Sequence, residues 1–192
     1  MNLPYIEEKN FENKDYSQEH FQKAEYEFCT FKGCNFSEAD LSQSKFLECE
    51  FIDCNFSNAD IKNTSFQEVK FSGCKMLGLQ FDICNDFSIA MEFADCQLNH
   101  ATFYELKLTR CSFDSCDLEG ADFGMCDLHG RRLTNCNLRS TMFEKTNLEG
   151  SDLSHSKNYS IDPENNRISG AKFTLPDVVA LLDKWKLKIH TN

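Results

Sequence analysis

An apolar side chain falls on every fifth residue over most of this chain. From Ile6 the series runs Phe11, Tyr16, Phe21, Tyr26 and on in steps of five to Phe81, sixteen slots without a polar residue. It breaks there and resumes two residues out of step at Phe93, continuing through thirteen more apolar slots to Leu153. In a chain that is 41% hydrophobic this is not chance, and neither a 3.6-residue helical period nor strict alternation of two produces it. The position two before each central residue is also restricted, to Cys, Ala, Ser or another small side chain, as at Cys29, Cys34, Ala39, Ser44, Cys49, Cys54 and Ala59 and again at Cys111, Cys116, Ala121 and Cys126. Two of every five residues therefore point inward.

The blocks "ADLSQ", "CNFSN", "CDLEG" and "ADFGM" resemble the repeat of the pentapeptide-repeat family: a small residue, a polar residue, a central Phe or Leu and two polar residues. The resemblance spans about residues 6–156. It implies an all-β fold, a right-handed quadrilateral parallel β-helix of about seven coils, in which four repeats complete one square turn. Residues twenty apart should then stack, and Cys34, Cys54 and Cys74 do share such a column, as do Cys96, Cys116 and Cys136. The two triplets are twenty-two apart at their join. A two-residue insertion between Phe81 and Phe93 merges them into one ladder and also aligns Ala39, Ala59, Leu79, Ala101, Ala121 and Thr141. This predicts a small bulge within 84–90, with Phe87 taking the displaced central slot.

The helix is expected to fill residues 1–156, followed by an irregular last coil over 157–172, turn-rich around Asp162, Pro163 and Asn165 with Ile161 and Ile168 as apolar anchors. Residues 173–192 read as a short amphipathic C-terminal α-helix and tail, with a capping box of Thr174 and Asp177 and an early Pro176. That helix offers more apolar surface than one coil end needs to hide, so Leu175, Val178, Leu181, Leu182 and Trp185 are the expected contact of a homodimer. At the other end Pro4, Glu7 and Glu8 are placed to discourage further strand pairing.

Composition limits the chemistry. Eleven Cys, an odd number, all fall in the small inward slot, without Cys-x-x-Cys or Cys/His spacing, and the first ten residues contain no leader-like apolar run. These features predict reduced, packed thiols, no metal or other cofactor, and a cytoplasmic protein. No stretch approaches the roughly 18 apolar residues of a membrane span. The net charge of −11 and a pI near 4.9 argue against direct contact with nucleic acid or an anionic membrane and favour a basic protein surface as partner. His20, His100, His129, His155 and His190 share no motif, and a packed interior leaves no substrate pocket, so no enzyme is expected. Arg131 occupies a small inward slot and is expected to turn outward beside Arg132.

Within the family the chain is most similar to the topoisomerase-protecting branch: the Qnr quinolone-resistance proteins, the mycobacterial fluoroquinolone-resistance protein and the albicidin-immunity protein. Size, the break in mid-helix and a C-terminal helix after the coils carry the resemblance, and the residues nearest the albicidin-immunity pattern are "SFQEVKFSGCKMLGLQF" (Ser65 to Phe81), "FYELKL" (Phe103 to Leu108) and "KFTLPDVVALL" (Lys172 to Leu182). It implies an acidic, rod-shaped dimer that mimics DNA and binds DNA gyrase, and in some members topoisomerase IV. The strongest Qnr protectors carry long loops, whereas the interruption here is two residues. Seven coils at about 4.8 Å make a rod near 34 Å, and DNA of that length carries on the order of 20 charges. Asp40, Asp60 and Asp122 share one column, while Asp117, Glu119, Asp122 and Asp127 crowd a short stretch; these are the candidate acidic face. The alternative is an interaction scaffold of the same fold for another cytoplasmic protein.

Overall fold

The structure, a computed structural model, describes residues 3–189. Each five-residue block runs extended through its central residue and then turns a corner, where the residue two past the centre adopts left-handed backbone, as at Glu48 (φ 50°), Asn58 (φ 59°) and Gly73 (φ 63°). Gly73 is needed for a second reason, since a Cβ there would lie 2.5 Å from Oδ1 of Asp53 one coil away. Four corners close a coil. One face stacks Tyr5–Glu7, Glu25–Glu27, Lys45–Leu47 and Ser65–Gln67 as a parallel sheet. The next stacks seven strands, from Asn10–Glu12 through Glu50–Ile52 and Met91–Ala94 to Leu133–Thr134. The third and fourth faces are joined by single bridges such as Asn35↔Asn55 and Asp40↔Asp60. The chain is thus a four-sided parallel β-solenoid, as the family resemblance implies.

Ladder partners are twenty residues apart, as in Ile6↔Tyr26 and Phe31↔Phe51, except across one step, where Val69 pairs with Met91 and Phe71 with Phe93. Asn85 still pairs with Ser65, which confines the two extra residues to the segment between Asn85 and Met91, inside the predicted bulge. Phe87 does not take the central slot. Asn85 Oδ1 accepts the Phe87 N–H at 3.0 Å, which turns Phe87 outward to 72% exposure, while Ile89 and Ala90 are the buried residues of the bulge.

The interior is a set of side-chain stacks. On the second face the rings of Phe11, Phe31, Phe51, Phe71, Phe93 and Phe113 lie 4.6 to 5.1 Å apart and nearly parallel, at the strand spacing. Rings of adjacent faces meet edge to face, as Phe51 and Phe56 do at 5.1 Å and 75°. All eleven Cys are buried and unpaired. Packing is only part of their role: Cys54 donates its S–H to the Phe31 carbonyl and Cys74 to that of Phe51, each at the central residue of the coil before. Thr64 and Ser151 make the same bond from the same slot, to Leu41 and Leu128. Burial pushes the Cys49 and Cys126 thiols up to about 12, which keeps them protonated donors to the Tyr26 and Phe103 carbonyls. Cys54→Ala should therefore cost about 1–2 kcal/mol in a urea melt, from lost volume and one weak hydrogen bond; a cost above that of a core Phe truncation would show that the thiols do more than this.

Beyond Leu153 the ladder continues through Asn147↔Arg167 and Asp152↔Lys172. Tyr159 and Ile161 are buried, Ile168 packs partly buried against the core, and Asn166 fills a small slot by donating to the Phe143 carbonyl. The C-terminal helix, Asp177–Trp185, is 3-10 and not α. Bonds at its ends span three residues, from Lys186 N–H to Asp183 and Val179 N–H to Pro176, while Val178 N–H at its start reaches back four, to Thr174. The predicted capping box is not formed: Pro176 is the N-cap, and the Thr174 hydroxyl accepts the His155 N–H at 3.0 Å. Three residues per turn sort the side chains cleanly. Val178, Leu181 and Lys184 line up, with Leu181 packed on the core and Lys184 ion-paired to Asp162 at 3.1 Å and to Glu164. Leu182 and Trp185 line up on another side and are exposed. Among the described residues no helix is long and apolar enough to cross a membrane.

Candidate partner-binding surfaces

The predicted acidic residues do not lie together. Successive blocks turn a corner, so Asp117 and Glu119 fall on the third face, Asp122 on the fourth and Asp127 on the first, where it bridges Lys107 and Asn147. Asp40, Asp60 and Asp122 do share a column on the fourth face, through Asp40↔Asp60 and Thr102↔Asp122. Each of these five aspartates also caps its own turn. Oδ1 of Asp40, Asp60, Asp117, Asp122 and Asp127 accepts the N–H two residues on, at 2.7 to 3.3 Å. Asp117 is taken up further, accepting Asn137 on Oδ1 and Asn99 on Oδ2, both at 2.8 Å. Asp127 accepts Asn147 at 2.8 Å, and Asp40 meets Lys23 at 2.5 Å. Among the described residues only Asp60 and Asp122 of these accept nothing beyond the turn N–H. Nothing in the spacing distinguishes an acid that locks a corner from one that offers charge.

Sequence reasoning passed over the acids that complete the fourth face. Asp82 and Glu144 occupy its outward positions after the central residue and Glu105 its corner, all exposed. Burial, with Asp122 nearby, raises the Asp82 carboxyl above its ordinary value. Lys23, Lys62 and Lys145 are the basic residues of the same face. In its lower half Tyr104, Met125 and Met142 are exposed, and the Tyr104 hydroxyl donates to the Met125 sulfur at 3.1 Å. Glu105 foremost, then Asp122 and Glu144, hold the Tyr104 hydroxyl protonated.

The C-terminal module divides the five expected contact residues. Leu175, Leu182 and Trp185 are exposed, Val178 is half-buried and Leu181 faces its own coil. Leu187 and Ile189 add to the outward apolar surface, and Lys184 Nζ lies 5.3 Å over the Trp185 ring. Arg131 turns outward as expected, with Nε donating to the His129 carbonyl at 3.3 Å. His20, His100, His129 and His155 stand on four different faces; His190 lies outside the described residues.

A family described as the pentapeptide repeat region matches residues 24–90, 44–123 and 89–173. No curated protein sequence matches the chain. Among solved structures, a trypsin-treated form of QnrB1, a plasmid-mediated fluoroquinolone resistance protein, superposes with a TM-score of 0.75 at 19% identity, covering 99% of this chain and 93% of that one. Full-length QnrB1 gives 0.58 at 19% identity, covering 95% and 100%. Matches at this identity speak for the fold. With the five-residue period, the twenty-residue ladder and the family match over most of its length, the chain belongs to the pentapeptide-repeat family.

Proposed function

We propose that this protein is a cytoplasmic binding protein, not an enzyme, that engages a type II topoisomerase, DNA gyrase and in some settings topoisomerase IV, and protects it from inhibitors such as quinolones or a gyrase-targeting toxin. The observation that carries this reading is the fourth face. Asp40, Asp60 and Asp122 in one column, with Asp82, Glu105 and Glu144 beside them, give the rod a line of negative charge at the coil spacing. Such a line suits a surface that ordinarily receives a phosphate backbone. The overall likeness to QnrB1, a fluoroquinolone resistance protein, supports the choice of partner.

The acting species in this reading is a homodimer. Leu182 and Trp185, with Leu175 at the margin, form the two-fold contact, while Leu181 and Lys184 hold the module to its own last coil. A two-fold contact covers the apolar surface and doubles the length of the acidic rod. No metal or other cofactor takes part. The test is a supercoiling assay with purified gyrase: added protein should restore activity in the presence of a quinolone or albicidin and compete with DNA at higher concentration. A gyrase whose activity and inhibition are unchanged across the titration would overturn the assignment.

A further inference from the structure

Charge alone does not describe the lower fourth face. Tyr104, Met125 and Met142 are 41%, 46% and 52% exposed and lie on neighbouring rungs around Gly124, lining a concavity of ≈ 160 Å³. Gly124 shapes it: a Cβ there would come within 3.2 Å of the Tyr104 ring and 3.0 Å of Asp122 Oδ1, so the absent side chain lets the ring fold over the backbone. Asp122 and Glu144 line the same concavity and Glu105 follows Tyr104, with Lys145 the one cation on the lining.

We propose that this patch docks a protein segment presenting an apolar side chain flanked by Lys or Arg. Two unbranched thioether side chains adapt to an apolar group of varied shape, and Tyr is enriched where interfaces concentrate their energy. The carboxylates of Glu105, Asp122 and Glu144 pair with flanking cations, and the Tyr104 ring adds a face for one of them. The same carboxylates repel phosphate and anionic lipid headgroups. A surface that only copied DNA would have no use for three apolar side chains. The inference deepens the partner-binding reading above and rests on it only for the identity of the partner.

Methyl-labelled methionine provides the test, because Met76 and Met91 are buried and serve as internal controls. Titrating the full chain with acetyl-Lys-Ile-Arg-amide should move the Met125 and Met142 signals and leave Met76 and Met91 in place; acetyl-Glu-Ile-Asp-amide should move none. Glu105→Lys with Glu144→Lys should weaken the basic peptide about five-fold. Signals that ignore the basic peptide, or respond equally to both, overturn the proposal. In a second arm, Met125→Ser with Met142→Ser, both exposed, should weaken binding to purified gyrase about ten-fold. Equal binding by that variant overturns the patch as the contact. Failure of the unaltered chain to bind gyrase overturns the choice of partner instead, and the peptide arm then decides the patch.

Discussion

Phe51→Ala is expected to lower the unfolding free energy by about 3–5 kcal/mol, through lost transfer energy and the cavity left behind. Phe51 is fully buried, stacked between Phe31 at 4.8 Å and Phe71 at 5.1 Å, and touched edge-on by Phe46 and Phe56. The cavity cannot close by backbone movement, because ladder bonds above and below fix the coil spacing. Glu48→Ala, at an exposed corner three residues away, should stay within about 0.5 kcal/mol. Urea melts of the two variants measure the contrast, and similar losses would mean that the column does not carry the stability of the solenoid.

Leu182→Asp combined with Trp185→Asp should convert the protein to a monomer and weaken gyrase binding on the order of 100-fold, the loss expected when two linked contacts become one. Two carboxylates buried at a small apolar contact cost about 3–5 kcal/mol if unpaired. Both residues point away from the coils, so the solenoid should keep its melting transition. Light scattering decides the first half: an unaltered protein already monomeric at micromolar concentration would sink the dimer. The choice of positions matters, since Leu181→Asp would attack the seat of the helix on its own coil and confuse unfolding with dissociation.

The coil architecture was legible because burial in a solenoid is decided by one repeating slot, and two runs of sixteen and thirteen slots agree throughout. The position of the insertion followed from the mismatch of two columns. Its occupant did not: hydrophobicity favoured Phe87, but the Asn85 side chain holds its N–H and leaves Ile89 to face inward. The C-terminal helix was legible in extent and apolar content. Its period of three was not, because four- and three-residue spacings cannot be separated over nine residues; the alignment of Leu181 and Lys184 toward the last coil settles it. The acidic site was the least legible part. Acids four or five apart in sequence stand around a corner from one another, and the aspartates nearest the central residues are occupied with their own turns. Charge reversal at Asp117 or Asp127 would therefore loosen corners as well as remove charge, and Asp82, Glu105 and Glu144 are the better probes of the face.

The ladder step of twenty residues has a consequence for how the chain acquires its form. Every coil is completed by the one just before it, so no contact waits on a distant segment, and growth proceeds coil by coil along a line. The bulge between Asn85 and Met91 is the weakest joint on that line, since the ladder there changes step and Ile89 and Ala90 fill the interior in place of a ring of the stacked columns. Amide exchange should divide at that joint, with coils fraying from the two ends as separate cooperative blocks. A dimer contact at Trp185 would silence the fraying of the C-terminal end alone. The amino-terminal coils, where Ile6, Phe11 and Tyr16 are only partly covered, would then be the end from which the molecule comes apart.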